Sequence, residues 1–303
     1  MVRTNGTSGP VPAHGHGAVG ASTAGGASSA RQNRARRVRW TRGVIGVLVV
    51  LLLAEAAGRL GLVSRSSLPL TSTVLWRAAR LPGDTRFLAD LGATLEAWAV
   101  GLAITVIVAV PLGVVLGSLP GVRVAAMAVV EFLRPIPSVA LILLVSLLLG
   151  PGLRMMATLI VYGAIWPVLY NTIAGIDDVD PVAVQTHRAF GFSRLATIRM
   201  VALPSAAPFI ATGIRLASAV AIILNIAAGF ITGRINGPGL GAYIADASTG
   251  AGNTTLILAA TVWAGLLGLV LDLLLVQAQR RLLRWHDVLS AGAREPAAAR
   301  AGT

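Results

Sequence analysis

This chain of 303 residues is 55% hydrophobic and only 12% charged, with a mean hydropathy of +0.77. A soluble domain carries about twice that charged fraction, so the composition excludes an ordinary soluble fold and specifies a polytopic membrane protein. The net charge of +13 comes from arginine alone: the missing lysine excludes a Walker A phosphate loop, and the missing cysteine excludes disulfides, thiolate catalysis and zinc–cysteine sites.

Residues 1–42 are rich in Gly, Ala and Ser and end in Arg31, Arg34, Arg36, Arg37, Arg39 and Arg42. That composition predicts a disordered tail with a basic juxtamembrane stop. It does not read as a signal peptide, because the apolar run starts only at Gly43. His14 and His16 in the tail are read as incidental rather than as metal ligands. Segment 43–84 then holds a first span, about Gly43–Ala57 and extendable to Val63, and an external stretch. Glu55 and Arg59 stand one helical turn apart and can pair. Leu75, Ala78, Ala79 and Leu81 suggest a short amphipathic helix on the membrane surface, closed by a turn at Pro82-Gly83-Asp84.

Residues 85–285 carry the remaining spans. The second is about Ala97–Leu116, with Trp98 as an interfacial anchor and Pro111 tolerated inside it. From Val122 to Leu149 the chain stays apolar, and a straight helix of that length would reach about 42 Å against a hydrocarbon core of roughly 30 Å. A broken helix resolves the excess, with Glu131 and Arg134 paired at i, i+3 and the break at Pro135 and Pro137. Whether that break is functional or a packing kink stays open. The fourth span, about Met155–Ile173, holds Trp166, Pro167, Tyr170 and Asn171. The fifth, about Leu216–Ile231, follows Arg215 and carries Asn225. The sixth, about Thr255–Val276, contains Asp272 and precedes Arg280, Arg281, Arg284, Trp285 and His286; residues 286–303 are again disordered in composition.

Between the fourth and fifth spans, segment 176–206 interrupts the apolar pattern with Asp177, Asp178, Asp180, Arg188, Arg194 and Arg199. Gly191 divides it into two short helical pieces, since glycine takes the left-handed turn that ends a helix. Ala183, His187 and Phe190 follow helical spacing before the break, and Leu195, Ile198 and Met200 to Leu203 do so after it, up to an expected stop at Pro204. A helix–glycine–helix elbow with apolar teeth and arginine shoulders suits docking onto another protein.

The spacing Gln185-Thr186-His187-x3-Gly191-x9-Val201-Ala202-Leu203-Pro204 resembles the cytoplasmic coupling loop of bacterial ABC importer permeases, whose usual pattern is Glu-Ala-Ala-x3-Gly-x9-Ile-x-Leu-Pro. The glycine and the Leu-Pro match; the opening triplet does not. Pro-Ser-Val-Ala-Leu-Ile at 137–142 and Asn236-Gly-Pro-Gly-Leu-Gly-Ala-Tyr-Ile244 are similar to the nitrate/taurine/sulfonate-type branch. The resemblance covers about residues 85–285. It implies an all-α permease of the type I importer kind, six transmembrane helices deep, in the bacterial plasma membrane. It also implies a second permease copy or paralogue, cytoplasmic ABC ATPase subunits and an extracytoplasmic substrate-binding protein. The residues implied to couple the ATPase are Gln185, Thr186, His187, Gly191, Val201, Leu203 and Pro204. The implied substrates are small oxyanions such as sulfonates, taurine or nitrate, although the branch also includes importers of aromatic compounds and vitamin precursors.

Arginine placement agrees. With both tails inside, the N-tail arginines, Arg123, the elbow and the C-terminal cluster all fall on the cytoplasmic side. The first external loop fits the rule least well, because Arg65, Arg77, Arg80 and Arg86 are offset there only by Asp84 and Asp90. The basic charge therefore points to membrane topology and lipid headgroups, not to nucleic acid.

No catalytic, cofactor or metal-binding set is legible, so no enzymatic activity is expected. Polar residues inside spans are costly and mark a pathway or an interhelical bond. The pathway candidates are Glu131, Arg134, Trp166, Arg215, Asn225 and Asp272. Asn225 fits a solute or a neighbouring helix equally well. Asp272 can pair with Arg215 across antiparallel helices, or snorkel towards the Arg280 cluster. Two rivals differ in class: an ion-coupled secondary transporter, which would show paired midplane charges and inverted repeats, and an integral membrane enzyme.

Overall fold

The structure, a computed structural model, describes residues 24–62, 64, 69–250 and 253–283. The expectations for residues 1–23 and 286–303, and those placed on Arg65, Arg284 and Trp285, lie outside these residues. The described residues before Ser64 form a unit of their own. It is one helix, α1 (Ala24–Arg59), of which Thr41–Arg59 is long and apolar enough to span a membrane. Helix from Ala24 onward corrects the expectation of disorder over the whole of 1–42. Alanine and arginine, abundant there, are good helix formers, a preference that a composition-level reading of disorder overlooks. Glu55 and Arg59 do pair, at 2.8 Å.

The second unit begins with α2 (Thr71–Arg80) and a single tight turn at Leu81–Gly83. It continues through α3 (Thr85–Ser118), α4 (Pro120–Leu133), α5 (Leu141–Leu149) and α6 (Leu153–Asp177). The elbow follows as α7 (Pro181–Ala189) and α8 (Arg194–Thr197), leading into α9 (Leu203–Thr232). A short α10 (Leu240–Thr249) and α11 (Thr254–Leu282) complete it. No strand occurs among the described residues. The expected all-α architecture is what is seen. Five helices can each cross a membrane, and α4 with α5 makes a sixth crossing, bent by 62° at the expected proline break.

Helix α6 is the centre of this unit. Met155, Leu159, Ile160, Ala164 and Val168 are buried in a core that also takes Ala97 and Ala109 from α3 and Ala217 and Ala221 from α9. Small residues on the flanking helices let the backbones approach closely, which is how helices associate where lipid offers no hydrophobic driving force. A second core joins α2, the start of α3, α10 and α11, with Phe87 packed edge-on against Tyr243 at 5.5 Å and Trp263 at 5.6 Å. Helix α2 therefore buries Val74 and Ala78 against α11, where Trp263 donates to the Ala78 carbonyl at 2.8 Å. Its amphipathic pattern faces protein, not only the membrane surface.

Three local expectations change. Helix α3 starts at Thr85, well before the expected Ala97, because Phe87, Asp90 and Thr94 are buried on its protein side. Trp98 is not an interfacial anchor: its indole donates to Ser218 of α9 at 3.0 Å. Pro204 does not stop a helix. It lies at the start of α9, and a π-helical turn at Ile198–Ala202 carries the chain into it. One helical run, Arg194–Ile235, thus joins the elbow to the fifth crossing.

Candidate functional site

The elbow is built as the sequence suggests, with details that patterning does not show. Asp180 caps α7 by accepting from the Val182 N–H at 2.8 Å, and Ser193 caps α8 by accepting from Ala196 at 3.3 Å. Between them Gly191 takes φ +80°, and its N–H bonds the Arg188 carbonyl at 2.9 Å. A β-branched residue there meets no steric neighbour but cannot hold that φ without strain. His187 spans the turn. Its ring stacks on Phe192 with centroids 4.0 Å apart, and Nδ1 lies 3.1 Å from the Thr197 hydroxyl. That hydroxyl already donates to the Ser193 carbonyl, so it accepts from His187, which fixes the proton on Nδ1.

What the elbow leaves outside is large and apolar. Phe190 is 78% exposed, Leu195 68%, and Val182 and Met200 66% each. Gln185, Thr186 and the three arginines are exposed with them, whereas Val201, Leu203 and Pro204 are half-buried at the root of α9. Arg188 and Arg194 come from opposite sides of the Gly191 turn yet line one cleft of about 360 Å³ with Gln185, Thr197 and Ile198. Just before the elbow, Arg123 at the start of α4 pairs with Asp177 at the end of α6, at 2.7 Å.

The intramembrane candidates separate into different settings. Asn225 is 5% exposed and donates to the Thr94 carbonyl at 2.9 Å, so its amide is spent between α9 and α3. Arg215 and Asp272 do pair, with a 2.9 Å bond from Nη2, along an apolar cleft of about 620 Å³ between α9 and α11. Glu131 and Arg134 do not pair; the Arg134 guanidinium lies over the Tyr170 ring, 4.9 Å from its centre. Arg134, still helical at the C-cap of α4, meets the aromatic stripe on α6 instead. That stripe is Tyr162, Trp166 and Tyr170, one turn apart, with Tyr162 and Trp166 edge-on at 5.9 Å. Tyr162 also donates to the Leu133 carbonyl at 2.8 Å, tying the break between α4 and α5 to α6.

Sequence reading missed a polar knot between α3 and α10. Asp90, 1% exposed, pairs with Arg234 at 2.7 Å and accepts from the Gly239 N–H at 2.9 Å. One turn on, Thr94 donates to the Asp90 carbonyl and accepts from the Leu240 N–H. Asp246 pairs with both Arg234 and Arg86. Tyr243 reaches Asp84 at 3.3 Å, and burial, reinforced by that carboxylate, pushes its phenol above the usual value. The first-loop arginine Arg86 is thus balanced from α10, while Asp90 serves Arg234. Asp90 and Thr94, spaced i, i+4 at the mouth of an apolar run, are the signal that could have revealed it.

A family model described as "Binding-protein-dependent transport system inner membrane component" matches residues 109–284. The chain belongs to that family. Its similarity to the taurine transport system permease protein TauC of Escherichia coli (strain K12) is 30% identity over 233 residues, 75% of this chain and 83% of that protein. The nitrate import permease protein NrtB of Leptolyngbya laminosa is 31% identical over 186 residues, 61% of this chain and 65% of that one. A glycine betaine/carnitine/choline permease protein, OpuCD of Bacillus subtilis (strain 168), is 26% identical over 182 residues, 60% of this chain and 78% of that one. A solved chain of the MetNI methionine ABC transporter, in inward-facing conformations, shares the fold with a TM-score of 0.55 at 21% identity, over 67% of this chain and 97% of that one. This protein is accordingly a multi-pass plasma-membrane permease subunit of an ABC importer. It is not an enzyme, since ATP hydrolysis in such importers lies on a separate chain.

Proposed function

We propose that this permease imports a small oxyanion, a sulfonate, taurine or nitrate, and is driven by two cytoplasmic ATPases seated on the elbow. A second permease copy or paralogue completes the pathway, and an extracytoplasmic binding protein delivers the solute. The elbow's geometry carries the reading: two capped helices, bent at Gly191, expose Val182, Phe190, Leu195 and Met200, and the second of them runs without a break into α9. An ATPase that grips this surface moves a rigid lever whose other end is the fifth crossing. Gln185, Thr186, His187 and Gly191 form the gripped part; Val201, Leu203 and Pro204 form its root. Both termini and the elbow then face the cytoplasm. Reporter tags at either end and beside Gly191 should read cytoplasmic, and one beside Gly239 external. An external reading at Gly191 overturns the assignment. The purified chain alone should hydrolyse no ATP.

The oxyanion reading draws on the taurine and nitrate permeases among the relatives and on Arg134. No carboxylate among the described residues pairs with that guanidinium, which stands exposed at the break of the third crossing over Tyr170, one turn along α6 from Trp166. A cation held on aromatic rings keeps its charge available to an anion while losing less solvation. We assign solute contact to Arg134 and Trp166, with Glu131 at the rim, and interhelical roles to Asn225 and the Arg215–Asp272 pair. Arg134→Gln should lower taurine, sulfonate or nitrate uptake while the complex assembles normally. Undiminished uptake removes Arg134 from the pathway.

A further inference from the structure

The described residues contain six ion pairs, and Arg188, Arg194 and Arg199 take part in none of them. From Pro181 to Ala202 there is no aspartate or glutamate at all. Of the three acids just before the elbow, Asp177 is paired with Arg123 and Asp180 caps the Val182 N–H, while Asp178 is exposed and forms an ion pair with none of the three arginines. Three exposed cations, interleaved with exposed Phe190, Leu195 and Met200, make a docking face of one sign. At position 185, where the related pattern has glutamate, stands a neutral Gln185.

We propose that the elbow selects its ATPase by charge, and that the receiving groove presents carboxylates to Arg188, Arg194 and Arg199. The inference rests on the coupling reading above. The Gly191 turn brings Arg188 of α7 and Arg194 of α8 into one cleft, where Gln185 adds a neutral amide; a single carboxylate entering it meets two guanidinium groups. Arg199 extends the cationic surface along the π turn. Because like charges across an interface cost several kcal/mol, an ATPase whose groove is basic, shaped for a glutamate-bearing elbow, is rejected. The occupant we commit to is protein, because these arginines share one surface with the apolar side chains of the coupling elbow.

The test uses the full permease in nanodiscs of neutral lipid and its cognate ATPase, with binding measured from low to high salt. Reversing all three charges (Arg188→Glu, Arg194→Glu, Arg199→Glu) should weaken ATPase binding at least about tenfold, and the wild-type affinity should fall as salt rises. Neutral replacements (Arg188→Gln, Arg194→Gln, Arg199→Gln) should give a smaller loss in the same direction, which separates charge from misfolding. Gly191→Val is measured in parallel. If Gly191→Val releases the ATPase while both charge variants bind like wild type at every salt concentration, the charge inference is wrong and the coupling reading stands. If none of the variants changes binding, the coupling reading falls with it. Unchanged ATPase binding, combined with loss of wild-type adhesion to vesicles rich in anionic phospholipid, assigns the arginines to the membrane surface and overturns the proposal.

Discussion

The two ends of α9 solve opposite problems with the same residue types. At one end Asp90, Thr94, Asn225, Arg234 and Asp246 bond to one another and to the Gly239 and Leu240 N–H groups, and no buried side-chain polar atom among the described residues lacks a partner. At the other, the elbow leaves its arginines unpaired and its largest apolar side chains in the open. A buried polar knot that satisfies itself fixes geometry and has nothing left to offer a ligand. A surface held by its caps, its glycine turn and the His187–Thr197 contact keeps its shape and leaves its arginines and large apolar side chains for a partner. The same α9 therefore has a fixed end and a gripped end, which is what a lever needs.

The contrast can be broken first at the fixed end. Asp90→Ala takes one of two carboxylates from Arg234, which keeps Asp246, and leaves the buried Gly239 N–H without its acceptor, at a cost of about 3 kcal/mol. Thermal unfolding in detergent should show a loss of that order, part of it recovered by adding Arg234→Gln, because the two changes are not additive. Additive losses would mean that the knot is not one unit. At the gripped end, Gly191→Val should cost about 1–3 kcal/mol of backbone strain, a roughly 5- to 150-fold loss of ATPase retention, with the spans inserted and stability unchanged. Equal ATPase retention and uptake by that variant would remove the elbow from coupling.

Asn225→Ala sharpens the line between the two ends. If the amide serves only α3 and α9, its removal leaves the Thr94 carbonyl short of a donor and costs about 1–3 kcal/mol of stability. Uptake per folded complex should then stay at the wild-type value. Reduced uptake at equal folded yield would return Asn225 to the pathway.

The spans were legible because a 30 Å hydrocarbon layer demands long apolar runs whatever the tertiary packing. The elbow was legible because Gly191 and its flanking helical periods are local. The broken third crossing followed from length and two prolines. What sequence did not disclose is what depends on partners far along the chain. Asp90 bonds residues 144 and 149 positions away, so its charge looked like a loop offset to Arg86. Trp98 looked like an interfacial ring until Ser218 proved to be its acceptor. Gly241 carries a further such constraint. A Cβ there would fall 2.1 Å from the Ile226 carbonyl of α9, a close approach that only the folded pair reveals.

His187 marks the smallest difference between the two kinds of reading, and the most informative. The family pattern has alanine at this position, and on that pattern alone His187→Ala should be silent. The structure gives the ring two tasks: it stacks on Phe192 across the Gly191 turn, and it donates from Nδ1 to Thr197 on α8. A hydrogen bond and an aromatic contact together contribute about 1–2 kcal/mol to the bent form, so His187→Ala should lower ATPase retention roughly 5- to 30-fold without unfolding the bundle. His187→Asn keeps an N–H donor near the Nδ1 position and loses the stack, so it should fall between the two. Amide exchange over 186–198 should rise in the same order, since the ring is what holds α7 against α8. If His187→Ala leaves exchange, retention and uptake unchanged, the elbow owes its shape to Gly191 and its caps alone. If exchange rises but retention does not, the ATPase itself imposes the bend, and the free elbow needs no preorganisation.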